Sequence, residues 1–277
     1  MRMSAESYRT FQDVLRAETG YALSDDKEYL IRSRLTPLAD QLGLRDLDAL
    51  AHELRRRINR QAMQGVIDRM TTHETSFFRD QTPFENLANA VLPGLLEGRA
   101  GPERVVRIWS AACSTGQEPY SLAMVLKDCS ARLGGFSYEI VATDISEEAV
   151  DAARTGLYSD FEVGRGLEER LRERYLRRQD DGRWLVSDEI RANIQFKTDN
   201  LMMPSVPRNY FDIIFCRNVL IYFDVETKRK VLDRLVQHFR RVDGALILGA
   251  AETTVGVSER YSRPDDRRFA VFRPIAA

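Results

Sequence analysis

Polar side chains recur where short apolar runs give way to helical patterns, and their types suit a charged, nucleoside-like ligand. In IWSAACSTGQEPYS an apolar run ends at Ser110, small residues follow, and a helix opens near Gly116. Small side chains let a ligand approach the main chain at the carboxyl edge of a strand, where open α/β sheets bind ligands. The string is not GxGxxG, and a tight strand-to-helix turn alone would also use small residues. Glu118 adds a carboxylate that could accept bonds from a ligand ammonium or amide, although the helix dipole also favours an acid there. Asp144, in VATDIS, closes the next apolar run, where an acid commonly takes both ribose hydroxyls of an adenine nucleoside. Its alternative role is to cap the following helix, for which Ser146 is better placed.

Two further strand ends carry the same signature. KTDNLMMP offers Asn200 with Leu201; FDIIFCRNVLIYFD offers Arg217 and Asn218, then Tyr222 and Phe223, with Asp224 to cap the next helix. Singly, each is ordinary turn chemistry, and an aromatic pair at this spacing is usually core. Four successive strand ends with polar groups point to one crevice. The segment TTHETSFFRD reads, from its residues alone, as a Phe77–Phe78 core plug beside a solvated Arg79.

The elements needed to position these groups follow from periodicity. Ser4 can cap a helix with Tyr8, Phe11, Val14 and Leu15 on one face. Ser24 can cap a second, with Tyr29, Leu30, Leu35, Leu38 and Leu42 inward and Gly43 as its stop. A third carries Leu47, Leu50, Leu54 and Ile58, and a fourth Val66, Ile67 and Met70. Thr82-Pro83-Phe84-Glu85 reads as a capping box that starts a helix running to about Leu96. Strands are expected at Val105–Trp109, Tyr138–Thr143, Ile194–Lys197, Phe211–Cys216, Ala245–Ala250 and Phe269–Phe272, with helices after Gly116, Ser146 and Asp224. Such alternation means a parallel sheet covered on both faces. The last two strands lack room for a helical crossover and should form an antiparallel pair ending the sheet. Gly156 to Arg191 breaks the pattern with a charged helix, a Gln179–Gly182 turn and a strand at Trp184–Val186.

The expected organisation is therefore an all-α domain over residues 1–72, a linker and first helix over 73–98, and an α/β domain over 99–277. That domain should be a Rossmann-like sheet with an antiparallel last strand and a small β-subdomain inserted at about 156–191. Small-residue loop followed by acid suits both S-adenosylmethionine and NAD; the antiparallel ending favours a methyltransferase. The 277 residues are 43% hydrophobic and 30% charged with a net charge of −1, an ordinary globular balance that argues against a dedicated nucleic-acid binder. Cys113, Cys129 and Cys216 are too scattered for a disulfide framework or a zinc site. The polar N-terminus and the lack of any apolar run of ~20 residues leave no signal peptide or membrane insertion to expect, so a cytoplasmic location is anticipated.

Together these strings resemble the chemotaxis receptor glutamate methyltransferases, the CheR type. The similarity spans nearly the whole chain: a helical first domain, a TxxTxFFR linker, an AxSTGxEPYS loop, a TDIS turn, an NL pair and FCRNVLIYF. The resemblance implies S-adenosylmethionine as cofactor, S-adenosylhomocysteine as product, and no metal. Carried over by position, Thr75, Arg79, Glu118, Asp144, Asn200, Leu201, Arg217 and Asn218 look like cofactor contacts. His73, which stands where the pattern usually has asparagine, is placed with them. Arg79 and Tyr222 look closest to the transferred methyl group. The partner implied is the helical cytoplasmic region of methyl-accepting chemotaxis receptors, and a monomer is expected. The stretch between Tyr175 and Val186 looks a few residues shorter than in members that hold a receptor's C-terminal pentapeptide, resembling the tail-independent type.

An acidic receptor bundle calls for a positive face on the first domain. Lys27, Arg32 and Arg34 make one group and Arg55, Arg56, Arg57 and Arg60 another, within twelve Lys/Arg and eleven Asp/Glu over residues 1–70; a charge run can equally be a solvated helix face. Rival readings are a methyltransferase on RNA or another substrate, for which the basic surface is missing, and a non-catalytic adenosylmethionine-binding adapter, against which Arg79, Asp144 and Tyr222 stand. NAD-dependent oxidoreduction lacks a proton-relay residue.

Overall fold

The computed structural model describes residues 3–262 and 271–275. Four helices open the chain: α1 (Ala5–Thr19), α2 (Glu28–Gln41), α3 (Leu47–Arg56) and α4 (Arg60–Met70). Ser4 caps α1 by accepting the Ser7 amide, and Asp46 and Asn59 do the same for α3 and α4. Their apolar stripes meet in one core containing Phe11, Leu15, Ile31, Leu35, Leu50, Leu54, Val66 and Met70.

Three local expectations fail here. Ser24 precedes a single 3-10 turn (Asp25–Lys27), with its hydroxyl on Asp26 rather than on a main-chain amide, so α2 starts only at Glu28. Tyr29 is then 59% exposed, on the outer face of α2. Ile58 is 73% exposed because α3 stops at Arg56, where Arg57 takes a left-handed conformation.

The linker leads into α5 (Thr82–Asn86), a π-helical turn (Leu87–Val91) and α6 (Leu92–Leu96). No capping box forms: the cap position falls on Gln81, with φ of +25°, and Thr82 is already helical. The sheet then builds from β1 (Val105–Ala111), α7 (Gln117–Arg132), β2 (Ser137–Asp144) and α8 (Glu147–Thr155). An insertion follows: β3 (Leu157–Tyr158), α9 (Asp160–Gly164), α10 (Glu169–Tyr175), β4 (Leu176–Arg178), β5 (Trp184–Val186) and α11 (Asp188–Arg191). Its strands form a separate antiparallel sheet in the order β3-β5-β4. The main sheet resumes with β6 (Ile194–Thr198), β7 (Ile213–Cys216), α12 (Val225–Leu235), β8 (Ala245–Leu248), β9 (Tyr261–Ser262) and β10 (Val271–Pro274).

The main sheet has the order β6-β2-β1-β7-β8-β10-β9. The first five strands are parallel, and β10 runs antiparallel to β8 as expected. The pair does not end the sheet, because the two-residue β9, too short to be seen as a pattern, pairs with the far side of β10. Phe211 lies outside β7, in one bridge to Phe239, and β8 stops at Leu248. The expected start of the last strand at Phe269 lies outside the described residues.

Burial explains the sheet's continuous apolar runs. Along β1 and β7, Ile108, Ile213 and Phe215 face one core, while Trp109, Ala111, Ile214 and Cys216 face another. Both faces are covered, as in a parallel sheet. The chain leaves β1 to one side for β2 and returns on the other for β7, so the carboxyl ends of β1 and β7 flank a topological switch point. Gly116 starts α7 there with φ of +97°, and a Cβ would sit 2.9 Å from both Ala153 Cβ and Tyr158 Oη. Gly116→Ala should therefore cost about 2 kcal/mol or more of stability through combined strain and overlap. Urea unfolding checks this, and an unchanged midpoint would contradict it.

Candidate active site

A cleft of about 1010 Å³, open mouth included, lies between the carboxyl edge of the main sheet and the helical domain. His73, Thr75, Arg79, Glu118, Asp144, Asn200, Leu201, Arg217, Asn218 and Tyr222 all line it. Residues as far apart in the chain as His73 and Tyr222 thus share one cavity.

Asp144 ends β2 nearly buried. One carboxylate oxygen accepts the Ser114 amide at 2.8 Å and the other the Ser146 amide at 3.0 Å. Ser146 itself caps α8 on the Ala149 amide, so the capping role falls to the serine. Burial pushes the Asp144 carboxyl above the usual range, against the lowering effect of those amides. Each oxygen keeps a lone pair for a ligand donor. Ala112 and Ser114, at φ of +61° and +51°, turn the β1–α7 loop, whose Cys113 and Ser114 amides donate to the Thr143 carbonyl and the Asp144 carboxylate at the end of β2. The Ser114 hydroxyl donates to the His73 carbonyl at 2.8 Å, joining loop to linker. The His73 ring bonds instead to the Thr71 hydroxyl and the Asp68 carbonyl, at 3.0 and 3.1 Å.

Glu118 and Arg217 form the buried centre of the site. The Arg217 side chain is 1% exposed. It donates to Glu118 at 2.9 Å, to Asp80 at 2.9 Å and to the Arg79 carbonyl at 2.7 Å, with its guanidinium over the Phe84 ring. Glu118 also accepts the Ser110 hydroxyl at 2.8 Å. Burial raises the Glu118 carboxyl above its ordinary value, and Arg217 opposes that rise. The linker turn before α5 holds three non-glycine residues at positive φ, Phe78, Asp80 and Gln81. Such a turn persists where its surroundings overdetermine it. Here the Arg217 contacts and the bond from the Phe78 amide to Ser121 do so. Phe77 is fully buried, as a core plug should be, whereas Arg79 is half-buried at the cleft and donates to the Glu74 carbonyl at 2.8 Å.

Asn200 has committed half of its amide already: Nδ2 donates to the Glu18 carbonyl at 2.6 Å and Oδ1 accepts the Met202 amide. Asn218, at φ of +59°, begins the turn that leads to Tyr222. That turn depends on a residue the sequence did not reveal. Glu252, buried after β8, accepts four main-chain amides, those of Asn218, Val219, Leu220 and Gly249, at 2.7–2.9 Å. No periodicity or spacing marks such a carboxylate; only folding brings the β7 and β8 loops together. Thr19 and Tyr21, from the end of α1, also line the cleft and were missed for the same reason.

The basic residues of the first domain divide. Arg34 donates to the carbonyls of Arg69, Met70 and Thr71 and so caps the end of α4. Arg55 pairs with Glu6, Arg57 with Glu18, Arg32 with Glu28 and Lys27 with Asp26. Arg56 and Arg60 are exposed and make no ion pair among the described residues.

A doubly wound sheet with an antiparallel strand inserted at one end, and two carboxylates at the tips of β2 and α7, belongs to the class of nucleoside-dependent methyltransferases. A family model described as "CheR methyltransferase, SAM binding domain" matches residues 73–268, and "CheR methyltransferase, all-alpha domain" matches residues 6–71. The chain is 40% identical to a chemotaxis protein methyltransferase of Vibrio parahaemolyticus, over 94% of its own length and 93% of the relative's. It is 39% identical to chemotaxis protein methyltransferase 1 of Pseudomonas aeruginosa, covering 94% and 95%, and 35% identical to a counterpart in Borreliella burgdorferi, covering 86% and 84%. The chain belongs to the CheR methyltransferase family, and it is an S-adenosylmethionine-dependent enzyme of chemotaxis.

Removing Arg217 strands a buried carboxylate. Arg217→Met should cost about 3–5 kcal/mol near neutral pH. Without the guanidinium the Glu118 carboxyl rises further, so the folded state binds more protons than the unfolded one across the window above the ordinary glutamate value. Stability then falls as pH rises through that window, and the deficit of the variant should shrink on acidification. Denaturant titrations at about pH 5 and about pH 8 check the sign; a deficit independent of pH would contradict it.

Proposed function

We propose that the protein methylates glutamate side chains on the cytoplasmic helical region of methyl-accepting chemotaxis receptors, giving methyl esters and S-adenosylhomocysteine. The observation that carries this reading is the shared cleft, in which Asp144 and Glu118 stand with Arg79 and Tyr222. S-adenosylmethionine, when bound, supplies an electrophilic methyl group on a sulfonium centre. Asp144 offers its remaining lone pairs to the ribose hydroxyls, while Glu118 offers negative charge to the amino acid end. His73, Thr75, Asn200, Leu201, Arg217 and Asn218 complete the wall around that ligand.

A glutamate carboxylate, with a pKa of about 4.3, is ionised at neutral pH and needs no general base. Its charge is neutralised as the new bond forms, so a residue that held the anion tightly would favour the ground state over the transition state. Arg79 and Tyr222 therefore act by aiming the carboxylate and excluding water. The Arg79 guanidinium has one nitrogen on the Glu74 carbonyl and keeps the others for this task. The Tyr222 hydroxyl bonds to no described residue and is free for a substrate. Tyr222→Phe should lower kcat about tenfold with S-adenosylhomocysteine affinity nearly unchanged. Base-labile label on receptor fragments and calorimetry measure the two; a collapse of affinity would make Tyr222 a cofactor residue instead.

The receptor's acidic helices are proposed to dock on the first domain through Arg56 and Arg60, the exposed members of their group without an internal ion pair. Reversing both to glutamate should slow receptor methylation and weaken its salt dependence. An unchanged rate would remove the idea. The β4–β5 hairpin is closed by the Gln179 amide on the Arg183 carbonyl, a compact turn that supports independence from a receptor tail peptide. Receptors cut back at their C-terminus should be methylated at the full rate, and a lost rate would overturn that independence.

A further inference from the structure

The helical domain does more than roof the cleft; it enters the wall next to the reacting groups. After α1, Gly20 takes φ of +77° and ends the helix on the Arg16 carbonyl. A Cβ on Gly20 would stand 3.0 Å from Met202 Sδ and from Thr227 Cγ2, and 3.2 Å from Phe223, so any side chain there would meet tight contacts as well as backbone strain. The Thr19 hydroxyl accepts the Tyr21 amide at 3.1 Å and fixes the next residue. Tyr21 then bridges to Phe223 in antiparallel fashion, and the Ala22 amide donates to the Tyr222 carbonyl at 3.2 Å. The rings of Tyr21 and Tyr222 meet edge to face, with centroids 5.9 Å apart at 90°.

Two outer ties hold this approach. Arg16 pairs with Asp224, which caps α12, at 2.5 Å, and Asn200 donates to the Glu18 carbonyl at 2.6 Å. Glu252 holds the Tyr222 turn from the sheet side, through the amides of residues 218–220. The turn is therefore pinned at its start by one carboxylate and at its end by the helical domain. The ring of Tyr222, whose hydroxyl has no described partner, has its edge-to-face aromatic contact with Tyr21.

We propose that Tyr21 is a positioning residue for methyl transfer: it sets the ring of Tyr222 from the neighbouring domain, so the domain that docks substrate also completes the catalytic geometry. This rests on the role given to Tyr222 above. An edge-to-face pair holds a ring in one orientation, and losing it lets the hydroxyl wander from the line of attack.

The test is a double-mutant cycle in the full-length protein on a receptor fragment, with kcat, S-adenosylhomocysteine affinity and thermal midpoint read for each variant. Tyr21→Ala should lower kcat about five- to tenfold with affinity for S-adenosylhomocysteine nearly unchanged. Tyr21→Phe, which keeps the ring edge, should restore wild-type kcat. In a Tyr222→Ala background, Tyr21→Ala should have no further effect on kcat. Tyr21→Leu fills the space without the ring, so a lowered kcat at a wild-type thermal midpoint separates positioning from folding. Equal losses with and without Tyr222 would overturn the proposal, and so would an intact kcat in both Tyr21→Ala and Tyr21→Leu. If Tyr222→Ala itself kept full kcat, the reading of Tyr222 would fail and take the proposal with it; a lowered but measurable kcat there, with additive Tyr21 effects, sinks the proposal alone.

Discussion

The site depends on one buried guanidinium. Arg217, at the carboxyl end of β7, has almost no contact with solvent and gathers Glu118 from α7, Asp80 and the Arg79 carbonyl from the linker, and the face of Phe84 from α5. A charge so deeply placed must be met by hydrogen bonds and opposite charge, or the fold would be strongly destabilised. Meeting it fixes the linker turn in left-handed conformations that its residues would not choose alone. That turn in turn sets where Arg79 enters the cleft. The wall of the cleft around Glu118 and the placement of Arg79 are thus consequences of the same ionic contact.

A second constraint acts from the other side. The sheet supplies rigid strand tips, and a parallel core covered on both faces gives them little freedom. The turn carrying Asn218 to Tyr222 is irregular, and two unrelated parts of the chain hold it. Glu252 gathers its amides from the β8 side, and the end of α1 adds a short antiparallel bridge from the helical domain. Asn200 belongs to this scheme as much as to the cleft wall, since its side chain donates to the Glu18 carbonyl near the end of α1. Under the proposed function a two-domain arrangement makes chemical sense, because the site would then have to align an already ionised nucleophile.

Much of this was legible from residues because the signals were local. The continuous apolar runs of β1, β2 and β7, and the caps Ser4, Ser146 and Asp224, are properties of short segments. The strand tips with Asp144, Asn200 and Arg217 follow from knowing where each apolar run ends. What was illegible is what tertiary contact decides. Thr82 and Glu85 have capping-box spacing, yet Gln81 is drawn into the left-handed linker turn and the box never forms. Tyr29 and Ile58 fit a helical period but fall where α2 starts late and α3 ends early. Within the insertion, β3 has only two residues and β4 carries two arginines, so only the apolar Trp184–Val186 strand announced itself. Glu252 has no sequence neighbour in the cleft lining and Tyr21 has only Thr19, which carries no signal of its own, so nothing near them in the chain marks their place.

The most direct measurement is a crystal structure of the protein with S-adenosylhomocysteine. The ribose hydroxyls are expected on the Asp144 carboxylate, the amino group toward Glu118, and the sulfur facing the opening between Arg79 and Tyr222. A nucleoside bound elsewhere, or one seated with its sulfur turned away from Arg79 and Tyr222, would contradict it.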